Sequence, residues 1–161
     1  MPNPMKITQV RTFVARVPLG EKRFFSSQCA FPERTSMLVK VETDNGLVGW
    51  GEGGQYGPAE PVASCIKHVL SPELLGKDPR DRGKIWSELY ALTRDFGQKG
   101  SYIEAMSAID IALWDITGKA LGEPVCRLLG GHVREDVPAY ATGCYYRGED
   151  YFDPLAPILF T

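Results

Sequence analysis

Hydrophobic and polar residues alternate in the first third of the chain, which is typical of strands. Residues Ile7 to Val17 are rich in β-branched and aromatic side chains and predict a first strand. Ser36 to Thr43 alternates apolar and polar positions, Asp44 to Gly46 favours a hairpin turn, and Leu47 to Glu52 predicts the partner strand. The opening section is therefore predicted to be a three-stranded antiparallel meander.

After Gly53 the apolar residues recur at helical spacing. A first helix is predicted from Pro58 to Leu70, and Ser71-Pro72 is expected to break it. Asp78-Pro79 is expected to cap and begin a second helix that ends near Arg94. Strands followed by helices, rather than alternating with them, indicate an α+β domain.

The longest predicted helix begins at Ser101. Ser101 and Glu104 have the spacing of a capping box, and Gly122 is placed to end the helix in a left-handed cap. Apolar side chains cover nearly its whole circumference, which indicates a buried central helix. These residues are Tyr102, Ala105, Met106, Ala108, Ile109, Ile111, Ala112, Leu113 and Ile116.

Composition and net charge argue against several classes of protein. The 161 residues are 43% hydrophobic, enough for one domain with a core, and the formal net charge is -2. Without a basic excess, a nucleic-acid or anionic-membrane partner is not expected. No apolar run is long enough to span a bilayer, no secretory signal is visible, and the four cysteines form no CxxC motif. A cytoplasmic protein with reduced cysteines is expected.

The segment Gly49 to Gly54 matches the GxGxxG pattern of dinucleotide-binding proteins. Its context is wrong for that function, because the preceding strand pairs back through a hairpin and no helix follows directly. The segment is therefore interpreted as a tight, glycine-permissive loop, and nucleotide binding is only a third hypothesis.

Two carboxylates lie in the central helix. Asp110 and Asp115 are five residues apart and face different sides, so they make a poor catalytic pair. Asp115 and Lys119 are spaced for an i,i+4 ion pair. Asp110 has apolar neighbours and is interpreted as a buried carboxylate that a local donor satisfies. His68 and His132 are interpreted as surface or packing residues.

Two loops are the best candidates for ligand binding: Gly20 to Pro32, which is rich in aromatic and basic residues, and Gly53 to Pro58. Aromatic faces beside a guanidinium and an amide would suit a small, oxygen-rich anion. The alternative is that both are solvated loops with incidental aromatics. The candidate substrate-binding residues are Lys22, Arg23, Phe24, Gln55 and Tyr56.

The sequence of the central helix, Ala105 to Ala120, followed by Leu128 to Gly131, resembles the first signature of the mandelate racemase/muconate lactonizing enzyme branch of the enolase superfamily. Gly49 to Glu52 and Val137 to Gly143 are also similar to segments of that family. The loops are most similar to those of sugar-acid cycloisomerases and dehydratases.

The resemblance implies an α+β capping domain over residues 1–133 and the start of a truncated (β/α) barrel, loosely ordered, over residues 134–161. Val137 to Cys144 would be the first barrel strand, with Thr142 near its substrate-facing end. Family members hold Mg²⁺ with three carboxylates and use a Lys or His base, all on later barrel strands. The resemblance therefore implies no catalytic residue and no metal ligand in this chain.

The leading hypothesis is the capping, or lid, domain of a Mg²⁺-dependent acid-sugar enzyme. The complete enzyme would be a dehydratase, cycloisomerase or racemase that removes the proton α to a carboxylate through an enediolate. Its partners would be a small acid-sugar substrate and further copies of itself in a homo-oligomer. The alternative hypothesis is a stand-alone interaction or self-associating module without catalysis.

Overall fold

In a computed structural model of the chain, residues 4–20, 24–25, 30–54 and 57–140 are described. The strands are β1 (Ile7–Pro18), β2 (Phe24–Phe25), β3 (Ala30–Phe31), β4 (Glu33–Thr43) and β5 (Val48–Gly53). The helices are α1 (Glu60–Cys65), α2 (Ser71–Leu74), α3 (Arg82–Thr93), α4 (Ser101–Leu121) and α5 (Val125–Leu128), and a π-helical segment (Ile66–Leu70) joins α1 to α2.

Three of the strands form an antiparallel sheet in the order β1-β4-β5, as the alternating pattern predicts. β4 pairs with β5 so that Val39 lies opposite Gly51 and Val41 lies opposite Gly49. Met37, Val39 and Val41 are completely buried. Because side chains alternate between the two faces of a strand, one face of β4 supplies the core and the other is more exposed.

The turn between β4 and β5 is the predicted hairpin. Gly46 has a φ of 84°, and its N–H donates to the carbonyl of Thr43 at 3.1 Å. The side-chain oxygen of Asn45 accepts hydrogen bonds from the N–H of Leu47 and from the hydroxyl of Thr43. The positive φ explains why glycine stands at this turn.

The helix that was expected to break at Ser71-Pro72 continues to Leu74. α1 passes into the π-helical segment and then into α2, and the N–H of Ser71 donates to the carbonyl of Ile66, five residues back. Because Pro72 has no N–H and its ring crowds the preceding turn, we attribute the uninterrupted path to the wider π turn. The predicted break is wrong, and Leu74 at the end of α2 is completely buried.

α3 begins later than predicted, with Asp81 in the N-cap position. The carboxylate of Asp78 accepts hydrogen bonds from the N–H and the Nε of Arg80, both at 2.9 Å, instead of capping the helix. The N–H of Asp81 donates to the carbonyl of Asp78 at 3.1 Å, so the chain makes a turn before the helix starts. The bonds from Arg80 lower the pKa of Asp78.

α4 covers the predicted central helix but begins differently. Gly100 occupies the N-cap position with a φ of 65°, and no side chain caps the helix. The N–H of Glu104 donates to the carbonyl of Gly100 at 3.0 Å, and Ser101 is already helical. The predicted capping box is therefore wrong. The predicted end is confirmed, because Gly122 has a φ of 67° and its N–H reaches the carbonyl of Gly118.

The core lies between the sheet and the helices, with α4 at its centre. No helix in the described part of the chain has both the length and the hydropathy to cross a membrane. The largest completely buried side chains come from both the sheet and the helices. They are Ile7, Met37, Val39, Ile66, Leu70, Leu74, Ile85, Leu89, Met106, Ile109, Leu113 and Ile116.

The chain divides into two compact units, Met1–Ala15 with Thr35–Val133 and Arg16–Arg34 with Arg134–Thr161. The predicted capping domain over residues 1–133 stays a prediction. Residues 137–140 have no regular secondary structure, and residues 141–144 lie outside the described residues. The described part of the expected first barrel strand is therefore not a strand. A barrel strand needs neighbouring strands to take its backbone hydrogen bonds, and none is described beside this segment.

Candidate functional site

Glycines of β5 bring that strand directly against the backbone of α4. A Cβ atom at Gly49 would lie 2.1 Å from the carbonyl oxygen of Ala112, and one at Gly51 would lie 1.9 Å from that of Ala108. Any side chain at these positions would force the strand and the helix apart. The interpretation of the GxGxxG segment as a loop is wrong, because its first residues lie in β5 and serve this packing.

Two side chains of α4 hold the outer edge of β5. The Asp115 carboxylate accepts a hydrogen bond from the N–H of Trp50 at 2.9 Å. The Lys119 ammonium donates to the carbonyl of Val48 and to the Asp115 carboxylate, both at 2.7 Å. The predicted Asp115–Lys119 pair is confirmed. An open strand edge is a template for pairing with another chain, and these contacts bond one N–H and one carbonyl of this edge within the domain.

The predicted loop after β5 is anchored at both ends. Gly53 ends the strand beside α4, Gly57 has a φ of 149°, and the loop closes on Ala59, which is completely buried. Gln55 and Tyr56 lie outside the described residues, so their expected part in ligand binding stays a prediction. The described residues on either side of this segment are the end of β5 at Gly53 and the buried Ala59.

The other predicted loop contains a small hairpin that its sequence did not reveal. β2 and β3 pair antiparallel, with Phe24 opposite Phe31, and strands of two residues are too short to show a periodic pattern. At the base of the loop, the N–H of Leu19 donates to the carbonyl of Pro32 at 2.9 Å. Of the candidate residues here, the structure places only the backbone of Phe24.

The remaining candidate residues, Lys22, Arg23 and Thr142, lie outside the described residues. The described structure therefore does not bring the six predicted site residues together, and their assignment stays a prediction. It does describe the framework from which the loop carrying Gln55 and Tyr56 leaves, which is the seam between β5 and α4.

The sequence did not predict a charged cluster between α3 and α4, which consists of Arg82, Asp110 and Trp114. The guanidinium carbon of Arg82 lies 3.1 Å from the centre of the Trp114 ring. Burial raises the pKa of Asp110, against the opposing effects of the Arg82 charge and a hydrogen bond from Trp114. Asp110 is half-buried rather than buried as expected, and both Arg82 and Trp114 act on its pKa. The sequence signal was a carboxylate among apolar neighbours, which gave no indication of Arg82.

The described residues do not fit a bound magnesium ion. No group of three or more His, Cys, Asp or Glu side chains among them lies close enough to hold a metal. Asp115 is engaged with Trp50 and Lys119, whereas Asp110 faces Arg82 and Trp114. The two carboxylates of α4 therefore interact with different groups, as their spacing predicts, and no step through a metal is derived for this chain.

Comparison with protein families decides the family. Residues 9–130 match the model of the mandelate racemase / muconate lactonizing enzyme N-terminal domain. The chain belongs to this family. Its resemblance to the enolase superfamily, and its α+β fold of a three-stranded antiparallel sheet followed by helices, are thereby confirmed.

Relatives within the family include enzymes of sugar-acid metabolism. The chain is 48% identical to D-galactarolactone cycloisomerase of Agrobacterium fabrum over 143 residues, which are 89% of this chain and 37% of that protein. It is 47% identical to D-galactonate dehydratase of Pectobacterium atrosepticum over 106 residues, which are 65% of this chain and 27% of that protein.

A solved family structure is also similar. A mandelate racemase/muconate lactonizing protein from Paracoccus denitrificans, complexed with magnesium, has a TM-score of 0.66 and 28% identity. The similarity covers 81% of this chain and 31% of that one. The chain therefore spans about a third of the length of the relatives it matches.

Proposed function

We propose that this chain is the substrate-capping domain of an acid-sugar enzyme that catalyses cycloisomerisation or dehydration. The observation that carries the proposal is the 48% identity to D-galactarolactone cycloisomerase across 89% of this chain. The reaction class would be removal of the proton α to a carboxylate, by residues outside the described structure. Magnesium, expected for the complete enzyme, belongs to the same proposal.

Within this proposal the two loops bind the substrate and exclude water. Lys22 or Arg23 would pair with a substrate carboxylate or hydroxyl, because a fixed cation recognises an oxygen-rich anion. Gln55 would hydrogen-bond to sugar hydroxyls, and Phe24 and Tyr56 would cover the bound substrate. The anchoring of β5 on α4 supports a lid whose second loop starts from a rigid strand.

A hybrid enzyme would test this function. Residues 1–133 of this chain would replace the matching N-terminal residues of the Agrobacterium fabrum cycloisomerase, and the lactone reaction would be followed with saturating Mg²⁺. We expect the hybrid to be active. Arg23→Ala and Gln55→Ala should each raise KM by about tenfold while changing kcat less, because they remove binding contacts rather than reacting groups.

The matched control is Lys67→Ala, which removes an exposed cation of the π-helical segment, a residue that belongs to neither loop. Equal KM values for the Arg23, Gln55 and Lys67 variants would overturn the proposed roles of the loops. A folded hybrid that binds Mg²⁺ but converts no galactarate- or galactonate-derived substrate would overturn the proposed capping function itself. The isolated chain should show no turnover with added Mg²⁺ above a metal-free control.

A second candidate function is self-association without catalysis. Large apolar side chains are exposed on neighbouring helices, including Trp86 and Tyr90 of α3 and Ile111 of α4. Exposed apolar surface of this kind favours protein–protein contact and supports the expectation of a homo-oligomer. Light scattering on the isolated chain tests self-association: a concentration-independent monomer would contradict it, and Trp86→Ser should return any oligomer to monomer.

A further inference from the structure

A cysteine and a histidine that the proposed function does not use lie side by side at the end of the folded helices. The Sγ atom of Cys126 is 3.7 Å from the Nε2 atom of His132, within the range of a sulfur–nitrogen hydrogen bond. Both side chains are exposed. A thiol can therefore pass its proton to a neighbouring base while remaining accessible to a reagent in solution.

The backbone, rather than a chance side-chain arrangement, brings these residues together. Cys126 lies in α5, and its carbonyl accepts the N–H of Gly131 at 2.9 Å. Gly130 and Gly131 have φ values of 111° and 96°, which residues with side chains rarely adopt. The two glycines turn the chain back over the end of α5 and return His132 to Cys126. The sequence interpretation of His132 as a surface or packing residue gave no sign of this pairing.

Cys65 provides a contrast within the same fold. It lies half-buried beside Tyr102, and burial raises the pKa of its thiol. A thiol in that setting is a poor nucleophile at neutral pH, because the thiolate is the reactive form. The two described cysteines therefore differ in both accessibility and the presence of a base.

We propose that Cys126 and His132 form a reversible modification site for low-molecular-weight disulfides. Cys126 Sγ attacks one sulfur of the small disulfide, its S–S bond breaks, and a mixed disulfide forms at Cys126 while the second sulfur leaves as a thiolate. His132 Nε2 takes the thiol proton and returns it to the departing thiolate. The small disulfide accepts the two electrons, so no further oxidant is needed.

The test uses the reduced full chain and glutathione disulfide at pH 7, with peptide mass spectrometry to follow each of the four cysteines separately. We expect Cys126 to be modified at least about tenfold faster than Cys65. His132→Gln should slow modification of Cys126 by about tenfold, because it removes the proton acceptor. At pH 9.5, where ordinary thiols are largely ionised, the variant and the wild type should react at similar rates.

His68→Gln is the matched control, because it removes the other, also exposed, histidine of the chain. It should leave the rate at Cys126 unchanged, and in 8 M urea all variants should react alike at Cys126. Equal rates at Cys126 in the His132 and His68 variants at pH 7 would overturn the proposal. So would a His132 effect of the same size in urea, since the pairing depends on the folded turn.

Discussion

α4 makes two contacts of different character on its two sides. Toward β5 it meets a backbone, because Gly49 and Gly51 place no atoms between the strand and the helix. Toward α3 it makes contact through long side chains. The guanidinium of Arg82, in α3, lies over the ring of Trp114, in α4, and its positive charge acts on the Asp110 carboxylate. The contact with β5 is made by backbone atoms, which cannot rotate away, whereas the side chains in the contact with α3 can change rotamer.

The difference indicates which substitutions the fold tolerates. In the seam between β5 and α4, an added atom must move a whole element, and a lost hydrogen bond leaves a strand edge open. In the contact between α3 and α4, a changed side chain can adopt another rotamer. We therefore expect stability to be most sensitive at the β5 glycines, less so at the edge contacts, and least at the charged cluster.

The most disruptive change should be Gly51→Ala. Its Cβ would lie 1.9 Å from the Ala108 carbonyl oxygen, so β5 and α4 must separate. We expect a loss of about 3 kcal/mol in the free energy of unfolding, measured by urea denaturation. The matched control is Gly54→Ala, three residues on, where an added Cβ meets nothing within 4 Å. Equal stability of the two variants would show that the seam is not close-packed.

Asp115→Ala should have the next largest effect. It removes the acceptor for the Trp50 N–H and the partner of Lys119, and we expect a loss of about 1.5 kcal/mol. Asp95→Ala is the control, since that side chain is 86% exposed and its pair with Arg94 spans 3.4 Å. The same urea measurement compares them. A loss for Asp115→Ala no larger than for Asp95→Ala would mean that the edge contacts add no stability.

Arg82→Lys should weaken the contact between α3 and α4. Lysine keeps the charge near Asp110 but loses the planar group that stacks on Trp114. We expect a loss of about 1 kcal/mol, measured by thermal or urea unfolding. Arg94→Lys, at a site more than half exposed, serves as the control. If both variants lose the same amount, the stack contributes nothing beyond the charge.

The smallest effect should come from Asp110→Asn, and it should depend on pH. Because the pKa of Asp110 is raised in the folded state, the folded chain binds more protons than the unfolded chain between the two pKa values. Stability from this group is therefore lost as the pH rises through its folded pKa. Asparagine does not ionise, so the variant should gain stability relative to the wild type between pH 3 and pH 7.

Asp78→Asn is a control for which the expected change of stability with pH has the opposite sign. The pKa of Asp78 is lowered in the folded state, chiefly by the hydrogen bond from Arg80, so its stabilising effect is present at neutral pH and lost as the pH falls. This variant should lose stability relative to the wild type over the same rise in pH. Urea denaturation at several pH values measures both differences, and parallel trends in the two variants would contradict the assigned directions.

Much of the fold follows from local sequence. The alternation in β4, the Asn45-Gly46 turn and the buried apolar stripe of α4 each depend on a few neighbouring residues, and each agrees with the structure. Burial of α4 all round was wrong at Ile111, which is 49% exposed. The end of α4 at Gly122 is equally local, because a left-handed cap needs only a residue without a Cβ. The family signature in α4 is local too, and the family comparison confirms it.

The candidate site was less predictable. The loop boundaries were approximately right, but the sequence did not predict the β2–β3 pairing, the anchoring of β5 or the charge interaction between Arg82 and Asp110. Each joins residues far apart in sequence or forms an element too short to leave a pattern. The binding roles of all six candidate residues stay predictions: Lys22, Arg23, Phe24, Gln55, Tyr56 and Thr142.

The sequence by itself determined the three strands of the main sheet, the central helix α4, the turn between β4 and β5, and membership of the family. The tertiary structure decided what the glycines of β5 are for, where α3 begins, and that the chain passes Pro72 without a break. The physical reason is the sequence separation over which each interaction acts. Periodicity and turn chemistry act over a few residues, whereas the distance from Gly51 to the Ala108 carbonyl exists only once strand and helix have packed.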